Sequence, residues 1–584
     1  MTILVRPQGI GDWSVKDDQT GLIIVDSQGN VLNGSDQIIA HIPVISDFVS
    51  TPVTQTAGIQ EAIDYASSLG GSKVYIQRGT YTINTTIVIP SDIELCGEGR
   101  FISIIQPSSA FVNNTYLSSI NYSSLIWLSS STSSDVTVQN TTIHDMGINI
   151  SYNLNSGAGS GLWGIFSNVN WQNVEIYNMY MNGSALTNNM MAPESYNITI
   201  KDFITINTDG AVLLFLNAST TGQTYHDILV ENIFNYIDQP VTDDRIAIVG
   251  NSPGLNDTSS YNVVHNIIVR NIFVYVESSL TSGTVNGVKF DSGINTVMSD
   301  VLIDGVTFWG NTSVSGNPVI FLVESYGQHI RTIIKNIFSL NTSGIFIPHF
   351  TSPDTQPPWL IIDSVEMYNV QGDYGILIEA GGTPYNQDYI IIRNFMIELA
   401  NTTNTTNGTP VGIMLAGGSS VQGAYNTDIN SGKVINGYTA ISNNIAQGGG
   451  IQSTPYSYSF INIENVHASN TSFILNNTTN TSLVRIKPTL DYPQQSTNGT
   501  TAGTVVITLI DYSPYNKKYV ITFSGYENDS TSNQTIDFPL AFSSYAIISG
   551  NNTGLTISAS TTGITITAPD STTTYSGIII VEGY

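Results

Sequence analysis

A short phrase that returns about every thirty residues is the feature that most constrains the fold of this chain. In each copy an alternating strand is followed by Asn, Asp or Gly and then by another apolar pair, as in Glu231-Asn232-Ile233-Phe234 and Arg270-Asn271-Ile272-Phe273. The middle residues stand at positions 173, 202, 232, 271, 305, 336, 364 and 394, with intervals of 29, 30, 39, 34, 31, 28 and 30 residues. Weaker copies follow near Asn436 and Asn465. Such self-similarity predicts a repeat architecture.

The period and the strand pattern decide between the repeat architectures. Helical repeats need segments with a 3.6-residue period, which these copies lack. Propeller blades use four strands in about forty residues, which fits the spacing less well. Three short strands and three turns in about thirty residues fit one coil of a parallel β-helix. Asn at one fixed point of the coil predicts an inward ladder of amides at the inter-strand spacing of about 4.8 Å, with members Asn232, Asn271, Asn336 and Asn394.

One helix precedes the coils. Residues 58–66 carry apolar side chains at helical spacing and end at Leu69-Gly70-Gly71, a glycine stop. A strand, an Arg78-Gly79-Thr80-Tyr81 turn, a second strand and the turn at Gly97-Glu98-Gly99 follow. This run resembles the N-terminal signature of the pectate-lyase-like superfamily, which includes many viral tailspikes and in which an amphipathic helix caps the open end of the solenoid. The resemblance is specific over residues 55–100, whereas the later repeats share only the general pattern of strands and turns.

The chain as a whole is predicted to be all-β. We expect an N-terminal attachment or oligomerisation segment at residues 1–50, a right-handed parallel β-helix with an N-terminal capping helix at 51–480, and a Pro/Gln/Ser/Asn-rich linker at 481–500. Short alternating strands in residues 501–584 indicate a small C-terminal β-sandwich-like domain.

Composition narrows the environment and the partners. Charged residues make up 10% of the chain and the formal net charge is −27. No Lys/Arg stripe is present to neutralise phosphates, which argues against a nucleic-acid partner. An uncharged polar surface keeps its hydrogen bonds in acid, where the 44 carboxyl groups become protonated. Adaptation to an acidic exterior is therefore one interpretation, and a Ser/Thr-rich secreted β-protein is the other.

Several features indicate an exterior protein. Cys96 is the one cysteine, so no intrachain disulfide forms. Twenty-three Asn-x-Ser/Thr sequons offer glycosylation candidates, although an Asn/Ser/Thr-rich chain produces many by chance. No apolar run is long enough to span a membrane, and the N-terminus does not look like a signal peptide. A virion protein, assembled inside a host and exposed after release, reconciles these observations. The candidates of interest are Asn84, Asn121, Asn197, Asn217, Asn311, Asn341, Asn401, Asn404, Asn470 and Asn533.

An acidic constellation carries the best case for catalysis. Asn207-Thr208-Asp209 ends one coil and Asp243-Asp244-Arg245-Ile246-Ala247 lies in the next. These runs resemble motifs of the polygalacturonase-type glycoside hydrolases, which implies that Asp209, Asp243 and Asp244 supply the general acid and base. The resemblance further implies that Asn207 helps to position these carboxylates and that Lys289 binds substrate, although the arginine that accompanies this lysine in the family is missing. Asn207, Arg245 and Lys289 are the candidate substrate-binding residues. Inverting hydrolysis needs two carboxyl groups about 6.5–9.5 Å apart.

This sequence departs from that family pattern at two points. The Gly-His-Gly coil is missing, and Arg245 stands where it could neutralise the acid pair as a salt bridge. The three aspartates could instead be turn residues, since Asp is common in turns. An aromatic-rich stretch could stack on sugar rings or pack in the core; it contains Trp163, Phe166, Trp171, Tyr177 and Tyr180. No cofactor is expected, and the scattered His residues show no metal-ligand spacing.

Three functions remain open at this point. The first is a virion surface spike or fibre for host attachment that binds a host surface glycan or glycoprotein in an acidic environment. The resemblance to tailspikes implies a homotrimer, with residues 1–50 contacting other virion proteins. The second is a β-helix glycoside hydrolase or polysaccharide lyase. The third is a cellular surface-layer or adhesion protein.

Overall fold

A computed structural model gives the three-dimensional structure of the chain. It describes residues 2–7, 13–17, 23–25, 30–32, 38–41, 55–112, 123–128, 137–150, 162–167, 169–183, 186–188, 194–208, 211–213, 224–240, 244–247, 262–292, 296–312, 315–316, 318–324, 328–350, 359–371, 374–380, 387–400, 411–417, 424–436, 439–444, 460–469, 483–492, 502–513, 516–527, 534–537, 546–551, 556–560, 563–567 and 575–583.

The chain forms two compact units, Met1–Gly327 and Gln328–Tyr584. The first unit contains helix α1 (Ile59–Ser68) and strands β1 (Thr2–Pro7), β2 (Trp13–Asp17), β3 (Ile23–Val25), β4 (Asn30–Leu32), β5 (Ile38–His41), β6 (Ser72–Ile76), β7 (Gly79–Thr85), β8 (Ile87–Ile89), β9 (Ile93–Gly97), β10 (Ser103–Val112), β11 (Ser123–Leu128), β12 (Thr137–His144), β13 (Gly147–Asn149), β14 (Leu162–Ser167), β15 (Asn170–Tyr177), β16 (Tyr180–Asn182), β17 (Leu186–Asn188), β18 (Glu194–Ile206), β19 (Ala211–Leu213), β20 (Thr224–Ile237), β21 (Asp244–Ala247), β22 (Asn262–Val276), β23 (Thr284–Ser292), β24 (Thr296–Trp309), β25 (Ser315–Gly316) and β26 (Pro318–Glu324).

The second unit is built from strands throughout its described part. They are β27 (Gln328–Leu340), β28 (Gly344–Phe350), β29 (Trp359–Val370), β30 (Tyr374–Ala380), β31 (Gln387–Leu399), β32 (Val411–Gly417), β33 (Ala424–Ile435), β34 (Thr439–Asn444), β35 (Phe460–Ser469), β36 (Leu483–Tyr492), β37 (Ala502–Ser513), β38 (Asn516–Glu527), β39 (Gln534–Asp537), β40 (Ala546–Asn551), β41 (Thr556–Ala559), β42 (Gly563–Thr567) and β43 (Tyr575–Gly583).

Parallel pairing between successive coils confirms the predicted β-helix. In the first unit the long strands β15, β18, β20, β22 and β24 pair in parallel in chain order. Shorter strands form a separate parallel face, with β8, β11, β14 and β17 followed by β19, β21, β23 and β26. In the second unit β27, β29, β31, β33, β35 and β36 pair in the same way, and so do β28, β30, β32 and β34.

Aliphatic side chains stack in columns inside the coils. Ile198, Ile228, Ile267 and Val301 face one another across β18, β20, β22 and β24, and each is at most 2% exposed. Side chains alternate between the two faces of a strand, so every second residue enters this core wherever a long strand runs straight. The apolar columns bury a continuous interior while the residues between them face outward.

Helix α1 caps the first coils, as predicted. Ile59, Ala62, Ile63 and Ala66 form its buried face. The side chain of Gln60 substitutes for a strand partner: its Nε2 donates to the Val88 carbonyl at 3.1 Å and its Oε1 accepts from the Val88 N–H at 2.7 Å. The helix thus satisfies backbone groups that would otherwise remain at an open sheet edge.

The long strands bend at two positions where the backbone is left-handed. In the first unit one bend falls at Asn140, Asn173, Asn197, Asp227, Asn266 and Asp300, and the other falls five residues later, at Asp145, Asn178, Asp202, Asn232, Asn271 and Gly305. All have φ between 51° and 77°. Asn, Asp and Gly are the residues that best tolerate this conformation.

Two members of the predicted amide ladder, Asn232 and Asn271, bond to each other, but the prediction that the ladder points inward was wrong. Asn232, Asn271, Asn336 and Asn394 are all exposed. Asn271 Nδ2 donates to Asn232 Oδ1 at 3.0 Å, and Asn232 Nδ2 donates to Asp202 Oδ1 at 2.8 Å. A left-handed bend turns its side chain out of the coil, so the amides bond to each other on the surface. The first position of the repeat series was also out of phase, because Asn178 rather than Asn173 shares the bend of Asp202.

The two ends of the chain contain antiparallel strands. Strands β1 to β5 pair antiparallel in order, and β1 also pairs in parallel with β6 of the first coil. In the second unit β36 occupies part of the predicted linker and joins parallel β35 to antiparallel β37. Beyond it, β37, β38, β43 and β40 pair antiparallel in that order, and so do β39, β42 and β41. These strands agree with the all-β prediction, while a separate β-sandwich-like domain at residues 501–584 stays a prediction. No helix within the described residues is long and apolar enough to cross a membrane.

Candidate functional site

Only part of the predicted acidic constellation lies within the described residues. Asp209 and Asp243 lie outside the described residues. Asp244 and Arg245 lie in β21, which pairs with β19 and β23. Convergence of the three carboxylates therefore stays a prediction.

Asn207 is engaged by the protein itself. Its side chain is buried, and its Nδ2 donates to Asp238 Oδ1 at 2.7 Å. Its Oδ1 accepts from the backbone N–H groups of Asp238 at 2.9 Å and Gln239 at 3.1 Å. The amide thus holds the turn after β20, and these bonds favour a structural role over substrate binding.

Lys289 lies in β23 between Ala247 of β21 and Phe321 of β26. It is half-buried on the face of the coil formed by the shorter strands. Its role in substrate binding stays a prediction, since two of the three carboxylates proposed to accompany it, Asp209 and Asp243, lie outside the described residues.

Four of the glycosylation candidates fall on described residues. Asn84 and Asn311 are buried, and the Asn311 amide donates to the carbonyls of Glu277 and Leu280 at 2.9 and 2.8 Å. Asn197 is exposed and Asn341 is half-buried. Because an acceptor amide must be accessible, we expect modification at Asn197 before the buried sites. Six candidates lie outside the described residues: Asn121, Asn217, Asn401, Asn404, Asn470 and Asn533.

The predicted aromatic stretch lies partly in the core. Phe166 and Trp171 are 1% and 0% exposed, so they pack inside the coils. Tyr177 and Tyr180 are half-buried. The stretch is therefore not a single exposed surface for sugar rings.

A different group of aromatic residues forms an outward surface on neighbouring coils. Phe234 and Tyr236 of β20, Phe273 and Tyr275 of β22, and Trp309 of β24 constitute this aromatic platform. Phe234 and Phe273 stack with centroids 5.2 Å apart and an interplanar angle of 5°, and Tyr236 and Tyr275 stack at 5.7 Å and 12°. Trp309 lies 6.1 Å from Phe273 and 6.0 Å from Tyr275. Phe234 is 39% and Trp309 42% exposed.

Strand alternation explains how the platform forms. After the bend at Asn232, Ile233, Asn235 and Ile237 point into the coil and are buried. Phe234 and Tyr236 must then point outward. Parallel pairing without a register shift places them directly beside Phe273 and Tyr275. Residues 39 positions apart in sequence thus become neighbours at strand spacing.

Polar groups border the platform. Tyr236 Oη donates to Glu277 Oε2 at 3.3 Å. Desolvation, followed by the negative charges of Asp238 and Glu277, raises the pKa of Tyr236 above its usual value. The hydroxyl therefore stays protonated and available as a donor. Flat apolar faces with hydrogen-bonding groups at their edge suit a ligand that is itself amphipathic.

A second outward cluster lies near the N-terminal cap. The potential ligand atoms of Glu94, Cys96 and His144 all lie within 4.8 Å of one another. Sequence reasoning missed this cluster because no ligand pair stands at a characteristic spacing. The register between β9 and β12 brings Cys96 beside His144.

A sequence comparison confirms the pectate-lyase-like resemblance. Residues 51–271, which are 221 of the 584 residues, match the family described as rhamnogalacturonase A/epimerase, pectate lyase-like. The match starts at the cap and extends the resemblance well beyond residues 55–100. No curated protein sequence matches the chain significantly.

Solved structures with similar architecture include phage and bacterial surface proteins. The tailspike gp61 of Pseudomonas phage phi297 is 11% identical, with a TM-score of 0.41, over 91% of this chain and 92% of that chain. PfbA, a surface adhesin of Streptococcus pneumoniae, is 10% identical, with a TM-score of 0.33, over 80% and 94%. The Gp54 tailspike of Acinetobacter baumannii bacteriophage AP22, solved with a capsular saccharide, is 10% identical, with a TM-score of 0.32, over 91% and 94%. At such values the functions of these proteins do not transfer to this chain.

Proposed function

We propose that this chain is an extracellular attachment spike or fibre that binds surface glycans through the aromatic platform. The observation that carries the proposal is the outward aromatic surface in which Phe234 stacks on Phe273, Tyr236 stacks on Tyr275, and Trp309 is tilted against Phe273 and Tyr275. Aromatic side chains pack against the C–H groups of sugar rings, and tyrosine hydroxyls and carboxylates bond to sugar hydroxyls.

Further observations support a glycan rather than another class of ligand. The chain carries 17 Lys and Arg against 44 Asp and Glu, which disfavours phosphate-rich partners. The name of the family that matches residues 51–271, rhamnogalacturonase A/epimerase, denotes enzymes that act on a polysaccharide. A glycan lying along the coils would cross successive rings of the platform.

The finer proposal places the protein on a virion that attaches to a host in an acidic environment. Its supports are the low charge content, which keeps surface hydrogen bonds intact in acid, and the tailspike-like cap. A homotrimer attached to other virion proteins through residues 1–50 completes this proposal. The pairing of β1 with β6 would hold that segment against the first coil.

Binding of surface polysaccharide by platform variants tests the proposal. Trp309→Ala and Phe273→Ala should each weaken binding about 5- to 30-fold, since a stacked aromatic residue contributes about 1–2 kcal/mol. Trp359→Ala is the matched control, because Trp359 is 51% exposed but lies in the other unit. The proposal would be refuted if Trp309→Ala and Phe273→Ala bound the polysaccharide as tightly as Trp359→Ala and the unaltered protein. A change of oligomeric state in the Trp309 variant would instead assign the platform to a contact between copies.

The alternative function is a β-helix glycoside hydrolase or lyase, which the family name favours. It would use Asp209, Asp243 and Asp244. Incubation with host polysaccharide at acidic and neutral pH should then shorten the chains, and Asp244→Asn should abolish the shortening. Intact polysaccharide under both conditions would eliminate this alternative and leave attachment, on a virion or on a cell surface.

A further inference from the structure

Glu94, Cys96 and His144 offer three different donor atoms to one point on the outer face of the first coils. Glu94 and Cys96 lie two residues apart in β9, with Leu95 buried in the core between them. Alternation therefore directs both side chains to the same outward face. His144 of β12 stands directly opposite Cys96 in the parallel register. A carboxylate oxygen, a sulfur and an imidazole nitrogen thus lie within 4.8 Å of one another.

The imidazole of His144 is held in one orientation. Its Nδ1 lies 2.6 Å from Asp145 Oδ2, and its Nε2 lies 3.0 Å from Glu94 Oε1. Tyr177 stacks on the ring at 4.6 Å and 12°, and His144 is 7% exposed. A histidine that donates from one nitrogen to a carboxylate and directs the other toward further donors is the arrangement seen at metal-binding histidines.

The contact between His144 and Glu94 brings two possible ligand atoms together. Nε2 of His144 and Oε1 of Glu94 lie 3.0 Å apart, a separation at which both atoms can bind one metal cation at about 2 Å.

A cation already occupies part of the cluster. Lys73 Nζ lies 2.6 Å from Glu94 Oε1, and this bond raises the pKa of Lys73, which keeps it charged. The Lys73 side chain is 35% exposed and unbranched, so it can move into solvent. Cys96 is 1% exposed, and its sulfur lies within 4.8 Å of the ligand atoms of Glu94 and His144.

We propose that Glu94, Cys96 and His144 bind one divalent transition-metal ion, with Zn²⁺ the best match to this donor set. Sulfur, imidazole and carboxylate donors are the ligands that Zn²⁺ takes in proteins, and water completes the tetrahedron. Asp145 orients His144 from behind, and Lys73 leaves Glu94 when the ion enters. Binding exchanges the thiol proton for a zinc–sulfur bond, and that proton is released to solvent.

The ion would connect strands that the chain joins through a long excursion. Cys96 and His144 are 48 residues apart in sequence but adjacent in the sheet. A ligand bridge here would fasten β9 to β12 just behind the cap, in a chain whose one cysteine permits no intrachain disulfide. The site is separate from the aromatic platform, so its test does not depend on glycan binding.

Cobalt titration of the full-length reduced protein tests the proposal. Co²⁺ bound to a thiolate gives an intense ligand-to-metal charge-transfer absorption, and tetrahedral coordination gives strong visible bands. We expect one equivalent to saturate both signals, Zn²⁺ to displace Co²⁺, and Zn²⁺ to raise the thermal midpoint. Cys96→Ala should remove the charge-transfer band. Asp145→Asn should weaken binding about 10- to 100-fold, as expected of an outer carboxylate.

Two further variants separate this site from adventitious binding. Lys73→Met should strengthen Zn²⁺ binding, because it removes the competing ammonium while keeping the length of the side chain. His226→Ala is the matched control: His226 also lies beside an aspartate, with Nδ1 2.7 Å from Asp227 Oδ2, but it is not among these ligands. Folding of each variant is checked by circular dichroism. No charge-transfer band in the unaltered protein, an unchanged band in Cys96→Ala, or unchanged affinity in Lys73→Met would each overturn the proposal.

Discussion

Glu61 makes the N-terminal cap sensitive to pH in a direction that favours acid. It lies in helix α1, where Thr56 Oγ1 donates to Glu61 Oε2 at 3.0 Å and accepts from the Gln60 N–H at 3.2 Å. Desolvation raises the pKa of Glu61 from 4.5 to about 7, against the opposing effects of hydrogen bonds from the Glu61 backbone N–H and from Thr56, and with a smaller contribution from Asp64. The folded protein thus holds the proton more tightly than the unfolded chain.

The sign and size of the effect follow from linkage. Below about pH 4.5 Glu61 does not lower the free energy of unfolding. As the pH rises from about 4.5 to about 7 the free energy of unfolding falls, and above about pH 7 the loss is constant. A full pKa change of that size corresponds to at most about 3 kcal/mol. Glu61 is only half-buried, so solvent screens part of its charge. The expected loss in the free energy of unfolding is therefore about 1–2 kcal/mol.

Hydrogen exchange of the α1 amides in the full-length chain measures this cost. With rates corrected for intrinsic exchange, Glu61→Gln should protect residues 59–68 about 5- to 30-fold more than the unaltered protein at pH 8, since each 1.4 kcal/mol is a factor of ten. The two proteins should coincide at pH 4.5. Glu175→Gln, at an exposed carboxyl on the outer face, should change nothing at α1. Equal pH profiles for Glu61→Gln and the unaltered chain would refute the reasoning.

Three destabilising substitutions, two of them paired with a control variant, test the coil itself. Asn232→Ala should destabilise by about 1–2 kcal/mol in denaturant unfolding, because φ is 57° and two ladder bonds are lost, whereas Asn232→Gly should recover the conformational part. Ile200→Ala removes a fully buried side chain and should cost about 2–5 kcal/mol, while Thr199→Ala beside it should cost under about 1 kcal/mol. Gly432→Ala should destabilise the second unit by about 1–3 kcal/mol, because a Cβ there would lie 2.2 Å from the buried Phe395 ring.

The sequence predicted the coils because their causes are local. An apolar residue at every second position and an Asn, Asp or Gly at a fixed point are visible in any one copy, and the repeat multiplies the signal. The capping helix was equally readable from its spacing and its glycine stop. The outward direction of the ladder side chains could not be predicted, since the sequence does not distinguish an Asn at φ 57° from an Asn buried in a strand.

Asn235 illustrates the similarity in sequence between a buried strand Asn and an exposed Asn at a bend. It is fully buried in the same strand as exposed Asn232, and its Oδ1 accepts from Thr205 Oγ1 at 2.9 Å. The second bend, five residues before Asn232 at Asp227, was overlooked for the same reason. Pairs of Asn or Asp five residues apart were the available signal. The C-terminal antiparallel strands were predicted from alternation, but the strand β36 was read as a linker because Pro488 suggested an interruption.

The candidate sites were harder to predict because they are columns rather than motifs. One outward column runs through Tyr75, Cys96, His144, Tyr177, Lys201, Glu231, Arg270 and Asp304, each paired with the next in register. Within it Tyr177 stacks on His144, Lys201 lies over Tyr177 at 5.1 Å, and Arg270 bonds Glu231 at 2.8 Å. The register between neighbouring strands, and no fixed spacing in the sequence, determines which residues meet.

In-register pairing of successive coils explains how a chain with 10% charged residues can still bring several functional side chains together at one place. A coil that repeats at strand spacing places one residue per coil on each outward column, so two or three suitable side chains in successive coils form a local site. The aromatic platform needs five such residues from three coils, and the Glu94–Cys96–His144 cluster needs three from two. Because these sites depend on register, lengthening a turn by insertion should leave them intact, whereas shifting a strand by one residue would turn every member of a column into the core.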